Sequence, residues 1–146
     1  MEANAPIPSI EEEIVDEFSL FDSWEDKYEY IIDMGKKLPP LPDQFKKEEN
    51  KIRGCQSTVW MVSEGHDGRV FFKADSDAVI VKGLISMLIR VFNGQKAADI
   101  VNADMKFIDD IGMSTHLAQT RSNGLRAMIK QMKLDAVAWS GREESR

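Results

Sequence analysis

Residues 58–92 read TVWMVSEGHDGRVFFKADSDAVIVKGLISMLIRVF, and this run decides the fold. Val59, Trp60, Met61 and Val62, the Asp67-Gly68 pair, then Val70, Phe71 and Phe72 describe two strands around a tight turn. Asp-Gly suits that turn because a two-residue hairpin loop needs backbone with φ > 0. Beyond Ser76 or Asp77, either of which can cap a helix, the period changes. Ile80, Val81, Leu84, Ile85, Leu88 and Phe92 recur at helical spacing until Asn93-Gly94 stops them. This helix is apolar nearly all round and is predicted to be the central buried one.

Upstream, Ser9 with Glu12 reads as a capping box ahead of Ile10, Ile14 and Phe18, a helix to about Leu20. Ser23 and Asp26 repeat the signal before Trp24, Tyr28, Ile31 and Ile32, with Gly35 as the expected helix end. Three prolines in KKLPPLP (residues 36–42) make a rigid connector, since they remove backbone donors. Downstream, short helices are predicted over Ala97 to Val101 and Lys106 to Ile111. A last helix is predicted from near Ser122, with Leu125, Met128, Ile129 and Met132 inward. Helices flank the hairpin and no βαβ alternation appears, so the predicted class is α+β, a small antiparallel sheet packed with helices. Two strands alone are marginal; a third entering around Asn50 to Arg53, or helices covering the hairpin, would complete the sheet. The domain is expected over residues 9–139, between a loose tail at 1–8 and a polar tail at 140–146.

The 146 residues are 42% hydrophobic and 30% charged, which suits one domain, and 19 bases against 25 acids leave −6. That charge gives no broad attraction to nucleic acid or anionic lipid. The longest apolar stretch, Val79 to Phe92, is too short and too interrupted to cross a bilayer, and the acidic N-terminus lacks the features of a signal or transit peptide. The cytoplasm is the expected compartment. Cys55 is the single cysteine, so an internal disulfide is impossible; with His66 and His116 it cannot supply a thiolate-rich metal or cluster site. No glycine spacing matches a phosphate-binding loop.

Cys55 lies in KIRGCQST, among polar residues on an expected loop flanked by Gly54, Gln56 and Ser57. A buried inert cysteine normally sits in an apolar run, so this setting points to a reactive thiol, its thiolate stabilised by nearby Arg or free backbone N–H groups. Two chemistries use such a thiol. A cysteine hydrolase needs a histidine base, for which His116 is the candidate, His66 belonging to the hairpin turn. Alternatively the thiol carries a group without a base. Arg121, placed just before the expected Ser122-Asn123-Gly124 helix start, is poorly sited for the helix dipole and suits an ion pair or an anion.

Four blocks in order, GCQSTVW (54–60), FKADSDAVIVKGLI (72–85), DIVN (99–102) and HLAQTRSNGLRAMI (116–129), resemble the SufE family of sulfur acceptors. The resemblance spans roughly Ile14 to Lys133. It implies an α+β fold shared with IscU-type scaffolds, and it implies that Cys55 accepts sulfane sulfur from a SufS-type cysteine desulfurase, stimulates that enzyme and passes the sulfur on to an iron–sulfur scaffold. The pyridoxal phosphate belongs to the partner, so no cofactor of its own is expected. Arg121 and Asp77 inherit supporting roles near the cysteine loop, Asp77 as a cap or as a latch on the loop. Sulfur transfer needs no triad, because thiolate attack on a persulfide expels a good leaving group.

Overall fold

The computed structural model describes residues 3–144. Its α+β architecture packs helices on one small antiparallel sheet. In chain order come α1 (Ile7–Phe18), α2 (Trp24–Lys36), β1 (Val59–His66), β2 (Arg69–Ser76), α3 (Val79–Phe92), β3 (Gln95–Lys96), α4 (Ala97–Asn102), α5 (Phe107–Asp110), α6 (Met113–His116) and α7 (Gln119–Glu144). The sheet order is β1-β2-β3, with Val59 opposite Ser76 and His66 opposite Arg69. Asp67 and Gly68 both have positive φ, 53° and 78°, as the Asp-Gly pair requires. His66 thus ends β1 rather than forming the turn.

The third strand is β3, pairing Arg69 with Lys96 and Val70 with Gln95. Residues 50–53 contribute less than a strand: one bridge, Lys51 to Trp60, and the Ile52 N–H donating to Val59 O at 2.9 Å. The physical reason is local. Asn93 and Gly94 turn the chain back at once from α3, and the Gly94 N–H donates to Val70 O at 2.8 Å, which delivers Gln95 to the β2 edge.

Helix α3 is the hub. Leu84, Ile85, Met87, Leu88, Val91 and Phe92 are almost wholly buried against α2, β2 and the terminal helices. Its close approach to α2 is made by two glycines: a Cβ on Gly83 would lie 2.0 Å from Ile31 O, and one on Gly35 2.6 Å from Gly83 N. Gly35 is therefore a crossing point rather than a helix end; α2 continues to Lys36 and closes on Lys37 in right-handed conformation.

Three other helix boundaries differ from expectation, each for a packing reason. Helix α1 starts at Ile7 with Pro6 as N-cap, and Ser9 makes no cap bond, because burying Ile7 and Ile10 together stabilises the extra turn. From Asn4 the chain is already tied down: the Asn4 amide donates to Arg90 O and Asn93 O, both at 2.9 Å, and Gln95 Nε2 donates to Ala5 O at 2.7 Å. Helix α3 has Ala78 as N-cap with no side-chain cap bond, since Ser76 is drawn into β2 and Asp77 faces another partner. Helix α7 starts at Gln119 and takes in Arg121, then runs past Ser140 to Glu144, while Trp139 packs on Gly65 and donates from Nε1 to Ser63 Oγ at 3.0 Å. Of the expected tails at 1–8 and 140–146, residues 1–2 and 145–146 lie outside the described residues.

A cluster of charges fastens α1 to α3. Arg90 reaches Glu17 at 2.6 Å and Glu13 at 3.3 Å, and the Tyr30 hydroxyl donates to Glu17. The bidentate Arg90 contact chiefly lowers the Glu17 pKa to about 2, and burial raises that of Tyr30 to about 12.

Candidate functional site

The Cys55 segment has two fixed roots and a free tip. At one root Ile52 is buried and bonded to Val59; at the other, Thr58 is held from three directions. Ser76 Oγ donates to Thr58 O at 2.7 Å, the Asp77 N–H donates to the same oxygen at 3.4 Å, and the Thr58 N–H donates to Asp77 Oδ1 at 3.2 Å. Arg53 and Gly54 form a turn, and among the described residues Arg53 to Ser57 join no strand or helix of the body. The tip is held by packing and by one weak bond, Cys55 S–H to Gly124 O at 3.7 Å.

Two glycines let the tip settle on α7. Gly54, with φ 93°, adopts a left-handed backbone that favours glycine, and its missing Cβ would lie 3.4 Å from Ala127 Cβ. Gly124, one turn into α7, faces the thiol directly: a Cβ there would stand 3.7 Å from Cys55 Sγ. The thiol opens on a cavity of ≈ 220 Å³. Its floor is apolar, from Val81 and Leu84 of α3 and Leu125 and Met128 of α7; its rim is polar, from Gln56, Ser57, Thr120 and Arg121.

Cys55 is half-buried, and burial raises its pKa, because a thiolate in this setting would lose hydration. This runs against the expectation of a stabilised thiolate: with the tip seated, burial favours the protonated thiol. Arg121 does line the cavity, and among the described residues it makes no ion pair within 4 Å, so the structural pairing considered for it is absent there. Asp77 sits outside the cavity wall, and its carboxylate holds the Thr58 root rather than capping α3.

His116 is not brought to the thiol. It ends α6, exposed, with its ring stacked on Trp24 at 4.2 Å, Nδ1 2.9 Å from Gly112 O and 3.1 Å from Thr115 Oγ1. It takes no part in lining the cavity, so the cysteine–histidine pair that a hydrolase requires is not assembled. His66 lies at the hairpin end beside Glu64, at 3.4 Å. Among the described residues there is no group of three or more His, Cys, Asp or Glu able to hold a metal ion. Nor is any helix there long and apolar enough to cross a membrane.

Sequence reasoning missed the seat itself. Gly124 carried one signal, a glycine inside a helical pattern, which often marks close approach. Asp75 carried none, since it reads as one more polar strand residue. It is buried, with Lys46 and Lys82 each at 3.6 Å. Burial alone would raise its pKa, but the Ser76 and Leu41 N–H groups together with Lys82 and Lys46 outweigh that and hold it down. Asp75 thereby fixes the strand end from which Ser76 and Asp77 reach the loop root.

Fold and site together define a small α+β domain built around one shielded loop thiol, with an arginine at the rim of its cavity. The model of the SufE Fe–S metabolism associated domain matches residues 12–136. An uncharacterised SufE-like protein of Rhizobium meliloti is 39% identical over 130 residues, covering 86% of this chain and 93% of the relative. Another from Rhizobium etli is 38% identical over 130 residues, covering 86% and 88%. The solution structure of a hypothetical protein from Thermus thermophilus superposes with a TM-score of 0.74 over 89% of this chain and 95% of that one, at 17% identity, a likeness of fold. The chain belongs to the SufE family, and its place is in Fe–S metabolism.

Proposed function

We propose that the protein is a sulfur acceptor, loaded at Cys55 by a pyridoxal-phosphate cysteine desulfurase and unloaded onto an iron–sulfur scaffold. The observation that carries this reading is the seat of the thiol: a lone cysteine on a loop tip, over an apolar cavity with Arg121 at its rim, in a SufE-family chain. The Cys55 thiolate attacks the terminal sulfur of the donor's persulfide; the donor's S–S bond breaks, its cysteine leaves as thiolate, and Cys55 holds the new S–S bond. Atoms and charge balance, and no base, metal or further cofactor is required of this chain.

The same seat explains why a loop is used. In the seated state the thiol is protonated and shielded, hence slow to react with oxidants. Lifting the tip breaks one weak bond and rehydrates the sulfur, which lowers its pKa toward the ordinary thiol range and supplies the nucleophile when a donor is docked. When the tip returns, the cavity accepts the added sulfur, and Arg121 in its lining supplies a positive charge for the persulfide anion. Mass spectrometry after incubation with a desulfurase and L-cysteine tests the reading. A gain of one sulfur on Cys55, absent in Cys55→Ser, is the expected result; wild-type protein without added sulfur, or a serine variant that still stimulates the desulfurase normally, refutes it.

A further inference from the structure

Helix α7 is apolar on two sides. Leu125, Met128, Met132 and Ala136 face the core, whereas Ile129, Leu134 and Val137 line an open furrow of ≈ 360 Å³ on the outside. Leu134 and Val137 are 52% and 54% exposed, so among the described residues nothing covers this part of the second face. A helix with two apolar faces needs two partners.

The rest of the lining is basic: Arg126, Lys130 and Lys133, with no acid among them. Those bases stand out in a chain whose net charge is −6. The furrow shares no wall residue with the thiol cavity but adjoins it along the helix, because Ala127 under Gly54 lies on the same helical stripe as Lys130 and Leu134. From Gly124 to Val137 the helix advances about 20 Å. A standard interface buries about 800 Å² per partner, a patch of radius roughly 16 Å, so a protein engaging the Cys55 tip also reaches the near half of the furrow.

We propose that the outer face of α7 is the docking surface for the sulfur donor, and that the donor presents an acidic, apolar segment to it. This rests on the sulfur-acceptor reading. Charge decides the occupant. A second copy docking face to face would set Arg126, Lys130 and Lys133 against themselves. Nor can a second copy offer its own acidic helix: α1 carries Glu11, Glu12 and Glu13, but its apolar residues Ile7, Ile10, Ile14 and Phe18 are buried within the chain. An anionic lipid surface suits the furrow less well, since the chain as a whole is acidic and a furrow receives side chains rather than a plane.

The test uses full-length protein, a purified cysteine desulfurase of the same organism and the double variant Lys130→Glu/Leu134→Gln, both sites being exposed. Titration calorimetry is expected to show binding weakened about tenfold, with the apparent KM for the acceptor raised similarly and kcat within about twofold. Wild-type affinity is expected to fall with added salt more steeply than that of the variant. Thermal midpoint and Cys55 alkylation in the free variant stay at wild-type values. Equal affinity of variant and wild type, or no binding of wild type at all, overturns the proposal. So does a variant whose sole defect is lost binding to phosphatidylserine vesicles, or lost concentration-dependent dimerisation. The mass of Cys55 reports separately on sulfur transfer: wild type that binds through the furrow yet gains no sulfur keeps the docking surface and refutes the transfer reading.

Discussion

Replacing Asp77 by alanine isolates what holds the Cys55 tip down. The substitution removes the acceptor for the Thr58 N–H at 3.2 Å and leaves the Ser76 Oγ to Thr58 O bond at 2.7 Å in place. A hydrogen bond to a charged group contributes about 1.5–3 kcal/mol, but this carboxylate is exposed, and screening brings the figure to about 1 kcal/mol. Because Asp77 makes no cap bond to α3, the loss falls on the loop root and hardly on the helix. If the tip opens before the thiol reacts, 1 kcal/mol corresponds to about a fivefold rise in the open population. The assay is the rate of Cys55 modification by a bulky maleimide at fixed pH, alongside thermal unfolding. Alanine is expected to react about fivefold faster with a midpoint unchanged within about 2 °C, and Asp77→Asn, which keeps an acceptor, to recover most of the protection. Equal rates in wild type and Asp77→Ala would refute the latch, as would a rate increase that simply follows a fall in global stability.

Arg121→Ala should slow sulfur transfer about tenfold or more while leaving desulfurase affinity within about twofold, with Arg121→Lys between them, because Arg121 lines the cavity on which the thiol opens and, among the described residues, makes no ion pair within 4 Å; stopped-flow transfer and calorimetry separate the two effects. Gly83→Ala should cost about 3 kcal/mol or more, since its Cβ would fall 2.0 Å from the backbone oxygen of Ile31, and denaturant unfolding reads this directly. Glu17, its pKa lowered from 4.5 to about 2, contributes stability that is fully present above pH 4.5 and is lost as the pH falls through about 2. At 34% exposure that contribution is about 1–2 kcal/mol after screening, so wild type and Glu17→Gln should differ by about 3–6 °C at pH 7 and converge in acid. Alkylation of Cys55 in the free protein should reach its half-maximal rate at a pH above the ordinary thiol range, given the raised pKa.

What the sequence determined by itself was whatever rests on periodicity and local backbone chemistry. The alternation in 59–72 around Asp67-Gly68 could close only as a hairpin, and the all-round apolar helix that follows could settle only in the middle. Cys55, alone among polar neighbours, was legible as a loop thiol, and four ordered blocks pointed to its family. Helix starts and roles set by contact were not legible. Ser9, Ser76 and Asp77 all carry cap chemistry, yet burial of Ile7 recruited an earlier turn, strand pairing took Ser76, and the loop root took Asp77. Gly35 has the composition of a helix end but serves a helix crossing, because only the tertiary structure sets Gly83 against it. The state of the thiol was decided the same way. Sequence neighbours suggested a stabilised thiolate, but the groups that surround Cys55 come from α3 and α7, far away along the chain, and their apolar side chains withdraw water and keep it protonated. A side chain's type and spacing are local properties; its hydration and electrostatic surroundings are set by whatever the folded chain places beside it.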